Sequence, residues 1–172
     1  MRTRDKTRRL ALCALLSALG VVLLYLGSLI EILDLSLAAV APLLVIYVAI
    51  ELGGYWPWLV YLVTGFLSLL LLPNKFGAVV YLLFSGFYPM VKQWAEKRFP
   101  RGLAFLLKLI LFQLSLGAAY LLMRLFVGEL SLGVSLYVAV VFLEVTFLLY
   151  DFVLTRMITL YVYRWRKRFK WK

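Results

Sequence analysis

Six long apolar runs account for most of this chain, and its basic residues gather at alternate breaks between them. The runs are Leu10–Ile30, Leu35–Gly53, Trp56–Leu72, Phe76–Met90, Leu103–Phe126 and Leu132–Tyr163. Each is close to or above the roughly 20 residues an α-helix needs to cross a bilayer core, with tilt and flanking residues making up the difference in the shorter ones. Transmembrane strands would alternate polar and apolar side chains. These runs are unbroken, and inside lipid a helix satisfies its own backbone hydrogen bonds. The expected fold is all-α: a polytopic integral membrane bundle of about six transmembrane helices, forming a single domain over residues 1–172.

Charge gives the expected orientation. Arg2, Arg4, Lys6, Arg8 and Arg9 precede the first run; Lys92, Lys97, Arg98 and Arg101 fall between the fourth and fifth; Arg164, Arg166, Lys167, Arg168, Lys170 and Lys172 follow the sixth. An even number of crossings puts all three groups on one face, and the positive-inside rule makes that face cytoplasmic, with both termini, in a multi-pass protein of the cell membrane. The opposite face carries Glu31 and Asp34, then Pro73-Asn74-Lys75, then Glu129 after Arg124. The net charge of +11 reads as this topology signal plus attraction to anionic lipid headgroups, so membrane lipids are expected partners and nucleic acid is not.

The chain has no histidine and a single cysteine, Cys13, inside an apolar run. Imidazole-dependent catalysis, zinc sites and disulfides are therefore not expected, nor is any cofactor. The first run is too long for a signal-peptide core and is expected to be retained as a membrane helix. Several boundaries have physical causes. Pro73-Asn74 stops the third helix in a tight hairpin, and Gly53-Gly54 ahead of Pro57 turns the chain at the other face, with Tyr55, Trp56 and Trp58 at headgroup level. Pro89 is expected to kink the fourth helix, which continues to Lys97 and carries Trp94 and Phe99 along the cytoplasmic surface. The tail Arg164–Lys172 reads as an interfacial anchor, its aromatic rings facing acyl chains and its cations facing headgroups.

In the first helix Ala14 and Ala18 stand four residues apart, on one face with Ala11. A strip of this kind lets another helix approach closely. A six-helix layout with basic cytoplasmic ends and an Ala-xxx-Ala pair near the cytoplasmic start of the first helix resembles the substrate-binding S component of energy-coupling factor transporters. The resemblance covers the whole chain in layout, and Ala14 and Ala18 are the residues that match a family motif. It implies that this pair docks onto a transmembrane coupling subunit, itself joined to two ATPase subunits. It also implies a small-molecule substrate, such as a vitamin or related micronutrient, held in a pocket open to the outer half of the bundle and gated by external loops. The chain has no phosphate-binding loop of its own, as separate ATPase subunits would require.

Polar residues inside the apolar runs are the expected carriers of recognition, because charge there is costly and normally faces a cavity or a partner. Glu144 and Asp151 are seven residues apart, on nearly one face and roughly 10 Å apart along the axis. Counting along helices five and six puts Gln113 level with Asp151 and Tyr120 level with Glu144. The first pair reads as a deeper layer, either an interhelical clamp, with Lys108 in reach of Asp151, or a ligand contact; the second reads as an outer layer facing a ligand. Lys108 and Arg156 snorkel to the cytoplasmic interface and are given no chemistry. Glu31 and Asp34 occupy the position of the family's gating loop, and Asn74 and Lys75 cap the central hairpin. The acidity of this face favours a cationic or amine-bearing ligand, unless Lys75 and Arg124 neutralise it. The expected function is therefore substrate capture for ATP-driven uptake rather than catalysis. A non-transporting scaffold subunit of a cell-shape or envelope-assembly complex would use the same layout for protein contacts alone.

Overall fold

The computed structural model describes the backbone of residues 2–127 and 136–165. The expected connection at Glu129, the tail beyond Trp165, and the side chains of Glu31, Arg124 and Arg164 lie outside the described residues. The elements are α1 (Arg2–Leu29), α2 (Glu31–Val40), α3 (Pro42–Glu51), α4 (Trp56–Leu71), α5 (Phe76–Val80), a π-helical turn (Tyr81–Ser85), α6 (Tyr88–Arg98), α7 (Arg101–Val127), α8 (Leu136–Leu160) and a second π turn (Tyr161–Trp165). Among the described residues there is no strand. Three stretches, Arg4–Leu29, Ile32–Glu51 and Arg101–Leu122, are long and apolar enough to cross a membrane, and Trp56–Leu71 is a shorter apolar helix. The chain divides into two compact units, Met1–Leu122 and Met123–Lys172.

In the first unit α1 packs on α2 and α4, α3 on α4, and α2 on α5. The buried side of α1 is Cys13, Ser17, Val21, Leu24 and Ser28, and that of α4 is Val60, Thr64 and Ser68, running into Leu72. Each row recurs every three or four residues, the period of one helix face. Both rows mix small or hydroxylated residues with apolar ones, while Leu15, Leu19, Val22, Leu26, Leu62, Phe66 and Leu70 point outward. Small residues inside and large apolar ones outside is the distribution helices take when lipid, not water, is the solvent, since close backbone approach then replaces the hydrophobic drive. Hydroxyls join the helices: Thr64 Oγ1 donates to the Ser17 carbonyl at 3.5 Å, and Ser85 Oγ to the Ala38 carbonyl at 2.7 Å.

The α3–α4 turn is built on Gly53 and Gly54, with φ of +62° and +60°, a left-handed conformation that side-chain-bearing residues avoid. Pro57 then lies in the first turn of α4, and Tyr55 stacks on Trp56 at 4.8 Å between ring centroids. At the opposite end of the unit α4 stops at Leu72, which is extended, and Asn74 Oδ1 accepts the Phe76 N–H at 3.0 Å. Lys75 Nζ donates to the carbonyls of Leu70 and Leu72, which satisfies the otherwise orphaned C-terminal carbonyls of α4.

One expectation about the boundaries is corrected. The second helix starts at Glu31, not Leu35, and Ile30 alone separates it from α1, so Asp34 is a helical residue and not part of a gating loop. The fourth run is interrupted at Gly86-Phe87, just ahead of Pro89, and resumes as α6 to Arg98, as a proline in an apolar run predicts. A π turn precedes the break, its closing bond running from the Gly86 N–H to the Tyr81 carbonyl at 2.8 Å. Pro89 sits in the first turn of α6, where its missing N–H costs nothing. The Leu82 carbonyl of the π turn accepts the Tyr61 hydroxyl at 2.7 Å. The buried stripe of α7 is Ala104, Lys108, Phe112 and Ser115, and Phe112 meets Phe84 edge to face at 5.2 Å.

The second unit is dominated by α8. Among its described side chains Phe147 and Leu154 are the buried apolar ones. The hydroxyls of Thr146, Thr155 and Thr159 each donate to the carbonyl four residues back, a local bond that hides a polar group without a partner helix. Arg156 lies over the Phe152 ring at 5.2 Å.

Candidate functional site

Asp34 is the most demanding residue in the first unit. It shares the buried face of α2 with Ala38 and Ala41 and is only 3% exposed. The room for its carboxylate comes from glycines on two other helices. A Cβ added at Gly77 of α5 would collide with Asp34 Oδ1, and one at Gly27 of α1 would lie 3.3 Å from the Asp34 Cα and 3.5 Å from Oδ1. The Gly77 backbone N–H stands against the carboxylate, and neither oxygen has any other hydrogen-bond partner. Among the described residues no lysine or arginine pairs with it. An isolated ionised carboxylate away from water costs at least several kcal/mol.

Two further hydroxyls of the first unit are also buried. Ser68 Oγ and Tyr81 Oη are fully buried and have no hydrogen-bond partner. The Tyr81 phenol faces the Thr64 hydroxyl, which places Tyr81 of the π turn level with Thr64 of α4. Ser68 is one turn further along α4, and Gly77 is one turn back along α5. The Gly20–Thr64 and Gly27–Asp34 contacts lie seven residues apart on α1, so Asp34 stands about two turns from Thr64.

A second polar cluster lies toward the opposite end. Lys92 and Lys108, buried to 1% and 7% exposure, converge on Glu96 Oε1 at 3.5 Å and 3.0 Å. Lys108, expected to snorkel without a role, thus ties α7 to α6. The Lys92–Glu96 half is visible in the sequence as an i, i+4 pair; the Lys108 half joins two helices and has no local signal. On another side of α6, a cleft of 380 Å³ between the Gly53–Gly54 turn and this helix is lined by Pro57, Trp58, Met90 and Trp94, with Gln93 as its polar side chain.

The other predicted site residues are placed as follows. Gln113 is half-buried and Tyr120 is exposed on α7 in the first unit; Glu144 and Asp151 are half-buried on α8 in the second, on the same side as Phe147 and Leu154. Asn74 and Lys75 cap the α4–α5 hairpin as expected, but the Lys75 ammonium is engaged by the end of α4 and does not pair with Asp34. Glu31 begins α2. Ala14 and Ala18 are exposed, as is Ala11, on the side of α1 away from Cys13, Ser17 and Gly20. The sequence reading missed Gly27, Ser68, Gly77 and Tyr81, none of which is charged. Compared with known protein families, curated proteins and solved structures, the chain matches none.

Proposed function

We propose that this protein is a multi-pass component of the cell membrane, with its basic ends in the cytoplasm, that captures a small molecule for uptake driven by separate coupling and ATPase subunits. The observation that carries this reading is the division of α1 into two small-residue faces. One face, through Ser17, Gly20 and Gly27, is used up by packing within the bundle. The other, Ala11, Ala14 and Ala18, is left exposed between Leu10, Leu15 and Leu19. A helix that only needed to contact lipid has no use for a smooth strip, whereas a partner helix can pack closely on one. The strip lies toward the N-terminal end of α1, the end the charge map assigns to the cytoplasm, which is where coupling to ATPases must occur.

Replacing Ala14 and Ala18 together by leucine tests the reading. Bulk without charge should block the partner and leave the bundle folded, so the variant should lose its coupling and ATPase subunits on purification from native membranes while keeping its helical circular dichroism. Full retention of all partners would refute the docking role. Recovery of envelope-assembly proteins instead of ATPases, from the unaltered chain, would replace capture by a scaffold.

A further inference from the structure

We infer that the cleft between the Gly53–Gly54 turn and α6 seats part of one acyl chain of an anionic phospholipid from the cytoplasmic leaflet, with the lipid's headgroup on Lys97 and Arg98. The inference rests on the membrane placement and orientation of the proposed reading, not on the docking of α1. The cleft lies at the end of the bundle that the charge map assigns to the cytoplasm.

Lining, size and charge each limit the occupant. Ala49, Pro57, Trp58, Met90, Val91 and Trp94 make the walls apolar, and among the described residues no charged side chain lines the cleft. Trp58 and Trp94 are half-exposed, and an indole, with its apolar body and single N–H, suits the boundary between acyl chains and headgroups. At 380 Å³ the space is near the lower end of the roughly 300–1,000 Å³ of small-ligand sites, enough for a stretch of one chain and not for a whole lipid. The charge lies at the mouth. Lys97 stands three residues after Trp94 and seven after Met90, and Arg98 four after Trp94 and seven after Val91. These spacings put both exposed cations on the cleft face of α6, about 5 Å beyond the indole of Trp94 along the axis. The other charged residues of this helix, Lys92 and Glu96, belong to the ion cluster on another side.

An apolar trough that opens onto two cations is complementary to a molecule with an apolar body and an anionic head. A dissolved anion would use the cations and leave the walls unused; a phospholipid without net charge would do the reverse. The polar groups between wall and mouth suit the ester oxygens of a lipid. Gln93 contributes an amide one turn before Lys97, and a Cβ added at Gly54 would meet nothing within 4 Å, so the backbone of the turn is open on that wall.

The test uses Trp94 as the reporter. The full chain with Trp56, Trp58, Trp165 and Trp171 changed to phenylalanine is reconstituted into phosphatidylcholine vesicles holding graded fractions of phosphatidylglycerol or phosphatidylcholine brominated on the acyl chain, where bromine quenches an indole it touches. Brominated phosphatidylglycerol should quench Trp94 at a mole fraction at least about fivefold lower than brominated phosphatidylcholine, the worth of one basic residue beside anionic lipid. Lys97→Gln with Arg98→Gln should bring the two lipids to parity. Ala49→Phe, which fills the trough and leaves both charges, should also remove the preference, and Val91→Phe serves if circular dichroism shows that Ala49→Phe fails to fold. Equal quenching by the two lipids before any of these changes overturns the inference. So does a preference that survives filling of the trough, which would be general attraction of anionic lipid to a basic protein. Inorganic phosphate that relieves the quenching more than chloride of equal ionic strength would assign the cations to a free anion and overturn it too. Absence of quenching by either lipid would overturn the membrane placement along with the site.

Discussion

The contact between Asp34 and Gly77 makes a prediction whose sign depends on the partner. In the native background Gly77→Ala inserts a methyl where Asp34 Oδ1 lies, and overpacking of this kind costs roughly 1–3 kcal/mol. Alanine returns about 1 kcal/mol through its better helix propensity, so the net effect should be a destabilisation of up to about 2 kcal/mol. In an Asp34→Ala background the obstruction is gone and only the propensity remains, so the same substitution should stabilise by up to about 1 kcal/mol. The coupling between the sites is then the strain itself, roughly 1–3 kcal/mol. Unfolding by sodium dodecyl sulfate in mixed micelles, followed by far-ultraviolet circular dichroism on all four variants, measures it. Equal effects of Gly77→Ala in both backgrounds, within about 0.5 kcal/mol, would show that Asp34 does not occupy the space beside Gly77.

Three more outcomes follow from other parts of the chain. Cysteines placed one at a time at Ile32 and Asn74, in a Cys13→Ser background, should react with an impermeant maleimide added to intact cells, while cysteines at Arg9, Lys97 and Lys170 should react only after permeabilisation; labelling of Lys170→Cys from outside would reverse the topology. Glu96→Gln leaves the Lys92 and Lys108 ammoniums without their shared carboxylate and should destabilise by about 1–2 kcal/mol, less than for a fully buried pair because Glu96 is 44% exposed on its side chain; adding Lys108→Met should recover part of this in the same micelle assay, and no recovery would argue against the α6–α7 tie. Gly53→Ala and Gly54→Ala should each cost about 1–2 kcal/mol because both sites have positive φ, with Gly54→Asn costing less than Gly54→Ala; equal costs would show that the turn does not need the left-handed conformation.

The passages of the fold were legible because they are written in long apolar runs. Among the described residues each of the six runs falls on helix, the second as α2 and α3 together and the fourth as α5, the π turn and α6. The turns at Gly53-Gly54 and Pro73-Asn74 were legible too, since glycine and proline act locally. The environment of Asp34 was not. A charged residue at the edge of an apolar run reads as a loop, and the residues that make its burial possible, Gly27 and Gly77, come from two other helices and carry no charge to draw attention. The one local hint is its spacing with Ala38 and Ala41, which puts a carboxylate at the head of a small-residue face. The Lys108–Glu96 contact was hidden for a similar reason: the length of a lysine predicts that its ammonium can reach an interface, but not which carboxylate on a neighbouring helix it will meet.

The π turn at Tyr81–Ser85 sets the phase of everything that follows it in its passage. An α-helix advances about 100° per residue, so the one surplus residue of a π turn rotates the rest of the rod by that angle relative to an uninterrupted helix. Gly77 before it, Tyr81 as its first residue, and Lys92 and Ala95 in α6 after the break at Gly86-Phe87 are all buried. Chain length, more than side-chain identity, tunes this arrangement. Removing a single residue from the turn would shift the start of α6 relative to Gly77, although every buried residue kept its identity. This segment should therefore tolerate exchange of one apolar residue for another far better than the gain or loss of one.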